Sequence, residues 1–297
     1  MPASSARFRR RRPLLSVSAL SASAFLLSLL MLFPFFIMLA TSFKTMAEIT
    51  APVFSFFPNK LLFSNYLNVL KTGTWAVYFK NSLIVTVAAV VASLVLNSMA
   101  GYAFARIHFR GRDLLFIITL VGLMVPQQVT MLPVYVILKF FPLAGGNDIL
   151  GQGGKGFIDS YMGLILPNIA GSFGVFLFRQ FMLGFPAALD DAATIDGLSR
   201  FGIYRRIYMP LNTPVIATLI ALKATYTWNE YTMPLLLINR RELRTVQLAL
   251  SFFRNEFTVE WNSIMAATAM IIAPIVVLFF ALQRYFVEGI VTTGVKG

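Results

Sequence analysis

Six stretches of this chain, at positions 14–40, 79–105, 114–140, 161–183, 211–238 and 261–284, are apolar over lengths that a soluble core does not require. About 20 predominantly apolar residues in a helix cross the ~30 Å of a bilayer's hydrocarbon, and each stretch supplies that much. The rest of the chain cannot shield so much apolar surface from water. Of the 297 residues, 58% are hydrophobic and 12% charged, whereas a soluble domain carries roughly a quarter charged residues. The expectation is an all-α integral membrane protein of about six transmembrane helices, because only helices or closed barrels satisfy their backbone in lipid.

The formal net charge is +13, yet the basic residues are scattered at the ends of apolar stretches. They form no polar face that a duplex can use, so nucleic acid is excluded as a partner. With no Cys and one His, His108, disulfides, thiol chemistry and a His/Cys metal cluster are excluded, and no metal site is expected. The first apolar stretch follows Arg7, Arg9, Arg10, Arg11 and Arg12, is too long for a secretory signal and lacks a small-residue cleavage site. It reads as an uncleaved anchor. An even number of spans puts both termini on one side. If that side is the cytoplasm, the short inner segments hold the Arg cluster, Arg106, Arg110, Arg112, Arg179, Arg200, Arg205, Arg206, Arg284 and Lys296. The longer loops 41–78, 141–160 and 239–260 then face outward with fewer basic residues, as the positive-inside rule requires. Residues 64–71 in the first of these loops read as a short surface helix stopped at Gly73. The second loop carries a glycine run around Lys155. It is not a phosphate loop, since Ile149 stands where the first Gly belongs and Gly156 where a hydroxyl belongs.

Pro126, Pro133, Pro167, Pro234 and Pro274 fall inside the spans. Each frees a carbonyl that a neighbouring helix or a wet cavity must satisfy; a pathway and a set of packed kinks both meet that need. The fifth span has the densest polar cluster: Lys223, Tyr226, Trp228, Asn229 and Glu230. An ionised group at bilayer depth costs at least ~2.5 kcal/mol, so Lys223 and Glu230, two turns apart, are expected to face the bundle interior together. Aromatic rings cover the C–H faces of a polyhydroxyl solute and amides exchange hydrogen bonds with its hydroxyls. Gln127 and Gln128 in the third span can complete such a lining. Adhesion between helices is the alternative role.

The connection 184–210 has its own punctuation. Pro186 suits a first helical turn, Asp190 and Asp191 sit where a helix dipole favours acids, and Gly197 can close the helix in a left-handed turn. Ser199 can cap a second helix running to Tyr208, with Pro210 at the entry to the fifth span. A helix, turn and helix outside the bilayer are predicted; an amphipathic connector is the plain alternative.

Within this segment Asp191-Ala192-Ala193, then Gly197, then Ile207-Tyr208-Met209-Pro210 fall at the spacing of a known signature. The segment resembles the Glu-Ala-Ala loop of binding-protein-dependent ABC importer permeases, with Asp191 in place of Glu and Met209 in place of Leu. Further likenesses lie in Thr41-Ser42-Phe43-Lys44-Thr45, Asn65-Tyr66, Trp228-Asn229-Glu230 and the end from Gln283-Arg284 to Val295-Lys296-Gly297. Together they resemble the smaller, six-span partner of the maltose-type carbohydrate permease pair, a MetI-like bundle.

That resemblance implies a bacterial inner-membrane subunit with both termini cytoplasmic and no enzymatic activity of its own. It implies a second permease, two ATPase subunits that carry the ATP and Mg²⁺, an extracytoplasmic solute-binding protein and a sugar-like substrate. Asp191, Ala192, Ala193, Gly197, Ile203, Ile207 and Pro210 become the ATPase-coupling segment, with Ile203 and Ile207 as apolar anchors. Val295, Lys296 and Gly297 become a tail that touches the ATPases, and Phe253, Arg254 and Asn255 a contact for the binding protein. The polar cluster already described, Gln127, Tyr226, Trp228, Asn229 and Glu230, is then the expected substrate pathway. The expected organisation is a basic cytoplasmic segment 1–17, a permease domain 18–287 that includes the coupling loop 184–210, and a cytoplasmic tail 288–297. A permease of the same superfamily for a glycerol phosphodiester or polyol, or an ion-coupled transporter, remains as the other function; Glu230 with Lys223 is the only intramembrane ionisable chemistry the latter has to work with.

Overall fold

The protein is described by a computed structural model over residues 14–71, 74–251 and 259–294, with side chains described over 20–71, 74–251 and 259–285. Its architecture among those residues is helical, matching the expected class. Helix α1 (Leu14–Ser42) is followed by α2 (Trp75–Arg106), α3 (Arg112–Val121), α4 (Gln127–Lys139), α5 (Tyr161–Asn168) and α6 (Ser172–Leu183). Then come α7 (Ala188–Ile195), α8 (Arg200–Leu211), α9 (Thr213–Asn229), α10 (Thr232–Leu237) and α11 (Trp261–Gly294). The predicted surface helix is present as Ser64–Lys71.

The six spans do not appear as six continuous helices. Among the described residues three helices, α1, α2 and α11, are long and apolar enough to cross a membrane alone; α5 with α6, bent by 40°, and α8 with α9, bent by 78°, bring the number to five. The third expected span is divided into α3 and α4. The break ends at Pro126, whose ring disfavours a helical conformation for the residue before it and whose own backbone is extended (ψ 137°). The fifth expected span stops at Asn229, because Glu230 is extended (ψ 124°) and α10 begins two residues later. The sixth runs on through Glu288, as α11 remains helical to Gly294.

The chain divides into two compact units, Met1–Asn68 with Glu260–Ala269, and Val69–Val259 with Met270–Gly297. In the first unit α1 exposes Leu20, Phe25, Leu30 and Met31, as a helix bathed in lipid or covered by another subunit does. Two of the motifs noted in the sequence meet here. The Asn65 amide donates to the carbonyls of Ser42 and Lys44, both at 2.9 Å, and the Ser42 hydroxyl lies 2.7 Å from that of Tyr66. Lys44 is buried, donates to the carbonyl of Ser55 and lies over the Phe54 ring. These motif residues therefore hold the start of the loop that follows α1.

The second unit is built around α2. One core, of Tyr102, Ala105, Phe178, Met182, Ile203, Tyr208 and their neighbours, packs near the Arg106 end. A second, of Val85, Leu138, Leu164, Met233 and Leu237, packs near the other end. Between them α2 and α6 approach closely. A Cβ added at Gly101 would lie 2.5 Å from the Phe178 Cβ and 3.0 Å from the Arg179 nitrogen, so only glycine fits at this crossing. Asn97 of α2 stands against Gly174 of α6 and accepts the Gly171 N–H at 3.1 Å, closing the break before α6. Gly101→Val is expected to force these helices apart and cost about 1–3 kcal/mol. Thermal unfolding of the purified protein in detergent tests this; an unchanged midpoint would show that the crossing has room to spare.

Candidate functional site

The 184–210 connection folds as its punctuation predicts, with one shift. Helix α7 begins at Ala188, two residues after Pro186. Gly197 is left-handed (φ 78°), and the Ser199 hydroxyl accepts the Gly202 N–H at 3.2 Å to cap α8. What holds α7 in place is Asp190, the first acid of the pair. One of its carboxylate oxygens takes the Arg106 guanidinium at 3.2 Å and the Tyr208 hydroxyl at 2.7 Å. Arg106, the last residue of α2, also donates to the carbonyls of Met182 in the last turn of α6 (3.1 Å from Nε) and of Phe185 just beyond that helix (2.6 Å). Its guanidinium lies 5.0 Å from the centre of the Tyr208 ring. A planar fork with several fixed donors does this; a lysine has the charge but not the geometry.

With Asp190 turned inward, Asp191 and Ala192 are exposed, Ala193 is buried, and Ile195 at the end of α7 is 86% exposed. Phe201 at the start of α8 is 59% exposed. Ile203, expected to anchor another subunit, is 1% exposed and packs in this chain's own core, because the turn at Gly197 folds that face of α8 back onto α2 and α6. Ile207 is half-buried against the same core, and Pro210 is exposed.

The second site lies where α4, α5, α9 and α10 meet. A pocket of about 170 Å³ is lined by Gln127, Thr130, Pro167, Asn168, Tyr226 and Met233 among others. The Tyr226 hydroxyl donates to the Gln127 side-chain oxygen, and the Gln127 amide reaches a Glu230 carboxylate oxygen at 3.4 Å. The other Glu230 oxygen accepts the N–H groups of Thr232 (2.9 Å) and Met233 (3.0 Å), capping α10 across the break. Glu230 thus serves the backbone with one oxygen and the cluster with the other. Lys223 shares the face expected of it, but its partner is the Asn168 side-chain oxygen at 3.0 Å, and it lies over the Tyr226 ring.

The remaining pathway residues separate. Asn229 is exposed and accepts from the Gln247 amide at 2.9 Å. Trp228 is 4% exposed and its indole N–H donates to the Ile271 carbonyl at 2.9 Å, so it packs α9 against α11. Phe253, Arg254, Asn255, Val295, Lys296 and Gly297 lie outside the described residues.

A third assembly holds the segment after α10. Asn81 of α2 is fully buried, donates to the carbonyls of Glu242 (2.8 Å) and Arg244 (2.9 Å), and accepts the Tyr161 hydroxyl at 2.6 Å. One residue on, the Ser82 hydroxyl accepts the Val246 N–H at 2.9 Å. One turn back, the Tyr78 hydroxyl accepts from Arg241 at 3.1 Å. Asp159 fastens the same segment, accepting the N–H groups of Asn239 (2.7 Å) and Arg240 (2.9 Å). The sequence did not mark Arg106, Asn168 and Asn81 as site residues, and Tyr208 stood in the signature without a role; a basic residue ending a span and an amide inside one are the only signals the first three give.

The family model of binding-protein-dependent transport system inner membrane components matches residues 94–292. The chain is 34% identical over 295 residues to the arabinooligosaccharides transport system permease protein AraQ of Bacillus subtilis, covering 97% of this chain and 99% of that one. It is 35% identical over 270 residues to a probable starch degradation products transport system permease protein, AmyC, of Thermoanaerobacterium thermosulfurigenes, covering 91% and 93%. A crystal structure of a bacterial ABC transporter involved in alginate import contains a chain that superposes with a TM-score of 0.76 at 24% identity, over 96% of this chain and 100% of that one.

The Asp159 clamp generates a pH prediction. Burial disfavours its ionised form, but the two backbone N–H donors from Arg240 and Asn239, with Lys155 nearby, outweigh that and hold the carboxyl below the ordinary carboxylate value. Its folded pKa being the lower, its contribution is fully present above the unfolded value of about 4 and is lost as pH falls through the lowered one. Asp159→Asn is expected to reduce stability at neutral pH and to flatten the acid limb of the stability profile. Thermal unfolding of both forms between about pH 3 and 7 checks this; parallel acid limbs would refute the assignment.

Proposed function

The chain belongs to the family of binding-protein-dependent transport system inner membrane components, and from that premise we propose that it is one permease subunit of an ATP-driven importer for a sugar or sugar oligomer. The single observation that carries the mechanism is the helix α7, tied to the transmembrane core by Asp190 yet presenting Asp191, Ala192 and Ile195 outward. A helix that transmits force must be stiffly attached on one face and free on the other. In this reading α7 is the coupling helix: its outer face seats in a cleft of an ATPase subunit, with Ile195 and Phe201 in the anchoring role expected of Ile203. ATP and Mg²⁺ belong to those subunits. The second permease completes the pathway, the binding protein docks on the opposite membrane face, and both termini are cytoplasmic. The relatives being sugar permeases and not enzymes supports a transport role without chemistry on this chain.

The pocket at Gln127 and Tyr226 is the portion of the pathway this chain supplies. One aromatic ring, two neutral amides from Gln127 and Asn168 and the Glu230 oxygen that faces Gln127 offer stacking and hydrogen bonds to hydroxyls without demanding a charged solute. Thr130 adds a hydroxyl. Trp228 supports α9 from behind.

Two experiments test these assignments in complexes reconstituted into vesicles. Ala192→Arg is expected to abolish uptake while the subunits still copurify, since a long cation cannot enter a close helix contact; full transport would sink the coupling role. Gln127→Ala and Tyr226→Ala are each expected to lower uptake about three- to tenfold, the worth of one or two lost hydrogen bonds, with ATP hydrolysis retained. Cysteines placed at these two positions should react with aqueous reagents in at least one nucleotide state, and protection in all states would remove them from the pathway.

A further inference from the structure

Helix α2 is held at both ends by side chains with unusually complete hydrogen bonding. At one end Asn81 uses its amide nitrogen and its oxygen on Glu242, Arg244 and Tyr161, flanked by Ser82 on Val246 and Tyr78 on Arg241. At the other Arg106 ties the end of α6, the first turn of α7 and Tyr208 of α8. The two residues are roughly 37 Å apart at the helical rise of 1.5 Å per residue. Nothing between them softens the helix: α2 has no proline and no break, and α6 is locked to it at Gly101, Asn97 and Gly174.

Resting on the permease reading above, in which the 239–250 segment leads into the face that meets the binding protein, we propose that α2 is the strut through which binding-protein docking is reported to the coupling helix. Asn81 and Arg106 are the positioning residues at its two ends. The outer segment cannot shift without moving Asn81, since the fully buried Asn81 amide holds both carbonyls and a buried amide left unpaired is costly. A rigid, continuously packed helix delivers that displacement to Arg106 undiminished. Arg106 in turn cannot move without moving Asp190, and Asp190 is part of α7. The other unbroken helices, α1 and α11, each carry a proline inside, Pro34 and Pro274, and the remaining connections between the two faces cross a bend, at α5–α6 or α8–α9, or the extended residues Pro126 and Glu230. Those are places where displacement is absorbed.

The proposal predicts a particular non-additivity, because two cuts in one series connection do no more than one. In vesicles containing the full importer, the ratio of ATP hydrolysis with substrate-loaded binding protein to that without it is measured for the unaltered complex, Asn81→Ala, Arg106→Lys and the double variant. Each single variant is expected to lower the ratio about tenfold, within the usual range of coupling between sites, and the double variant to match the more affected single. A ratio unchanged in either single variant, or a double variant whose loss is the product of the two, overturns the strut. If either variant fails to assemble, Tyr161→Phe removes one bond and Asp190→Asn the negative charge from the same clamps at nearly constant shape, and the same cycle decides. An unaltered complex that shows neither uptake nor stimulation would count against the permease assignment itself. Normal stimulation in the unaltered complex and in every variant would count against the strut alone.

Discussion

In hydrocarbon, an unpaired backbone N–H or carbonyl has no water to turn to, so each interruption of a spanning helix must be closed by the protein itself. Much of this structure is arranged around that requirement. Where α9 gives way to α10, the Glu230 carboxylate accepts two freed N–H groups. Where α5 gives way to α6, Asn97 accepts the Gly171 N–H from across the helix pair. Where α8 bends into α9, the buried Asn212 donates to the Tyr208 carbonyl. At the end of α6, Arg106 takes the last carbonyls. The polar residues inside the apolar stretches are thus first of all closures.

In the permease reading proposed above, several of these closures also serve transport. Glu230 closes a helix with one oxygen and joins Gln127 and Tyr226 at the pocket with the other. Arg106 closes α6 and also holds α7 through Asp190. A broken helix therefore brings two consequences together: it exposes backbone that needs polar partners, and those partners supply the polar surface that a hydroxyl-rich solute can cross.

The acid pair at the start of α7 shows how a motif divides its labour. Asp190 and Asp191 are chemically alike and adjacent, but a helix turns 100° per residue, so one carboxylate faces the core and the other faces away. Asp190 finds Arg106 and Tyr208, while Asp191 stays exposed for whatever lies outside this chain. The same rotation buries Ala193 and leaves Ala192 free. An alanine pair that looks like one small patch in the sequence is half packing and half surface.

What the sequence by itself determined is everything carried by near neighbours. The length and apolarity of the spans, the left-handed turn at Gly197, the Ser199 cap and the helix Ser64–Lys71 depend on residues within one or two turns, and those are visible in a string. The break in the third span is also local, since Pro126 is in plain view, but its consequence in lipid depends on what packs beside it. Only the tertiary structure decided which polar residues meet. Arg106 to Asp190, Asn81 to Glu242 and Lys223 to Asn168 are separated by 84, 161 and 55 positions. It placed Ile203 and Trp228 inside, gave Lys223 an amide as partner, and set Glu230 beyond the end of that helix. The physical reason is that periodicity assigns a residue to a face of its own helix, while the identity of the neighbouring helix on that face is set by how the helices pack.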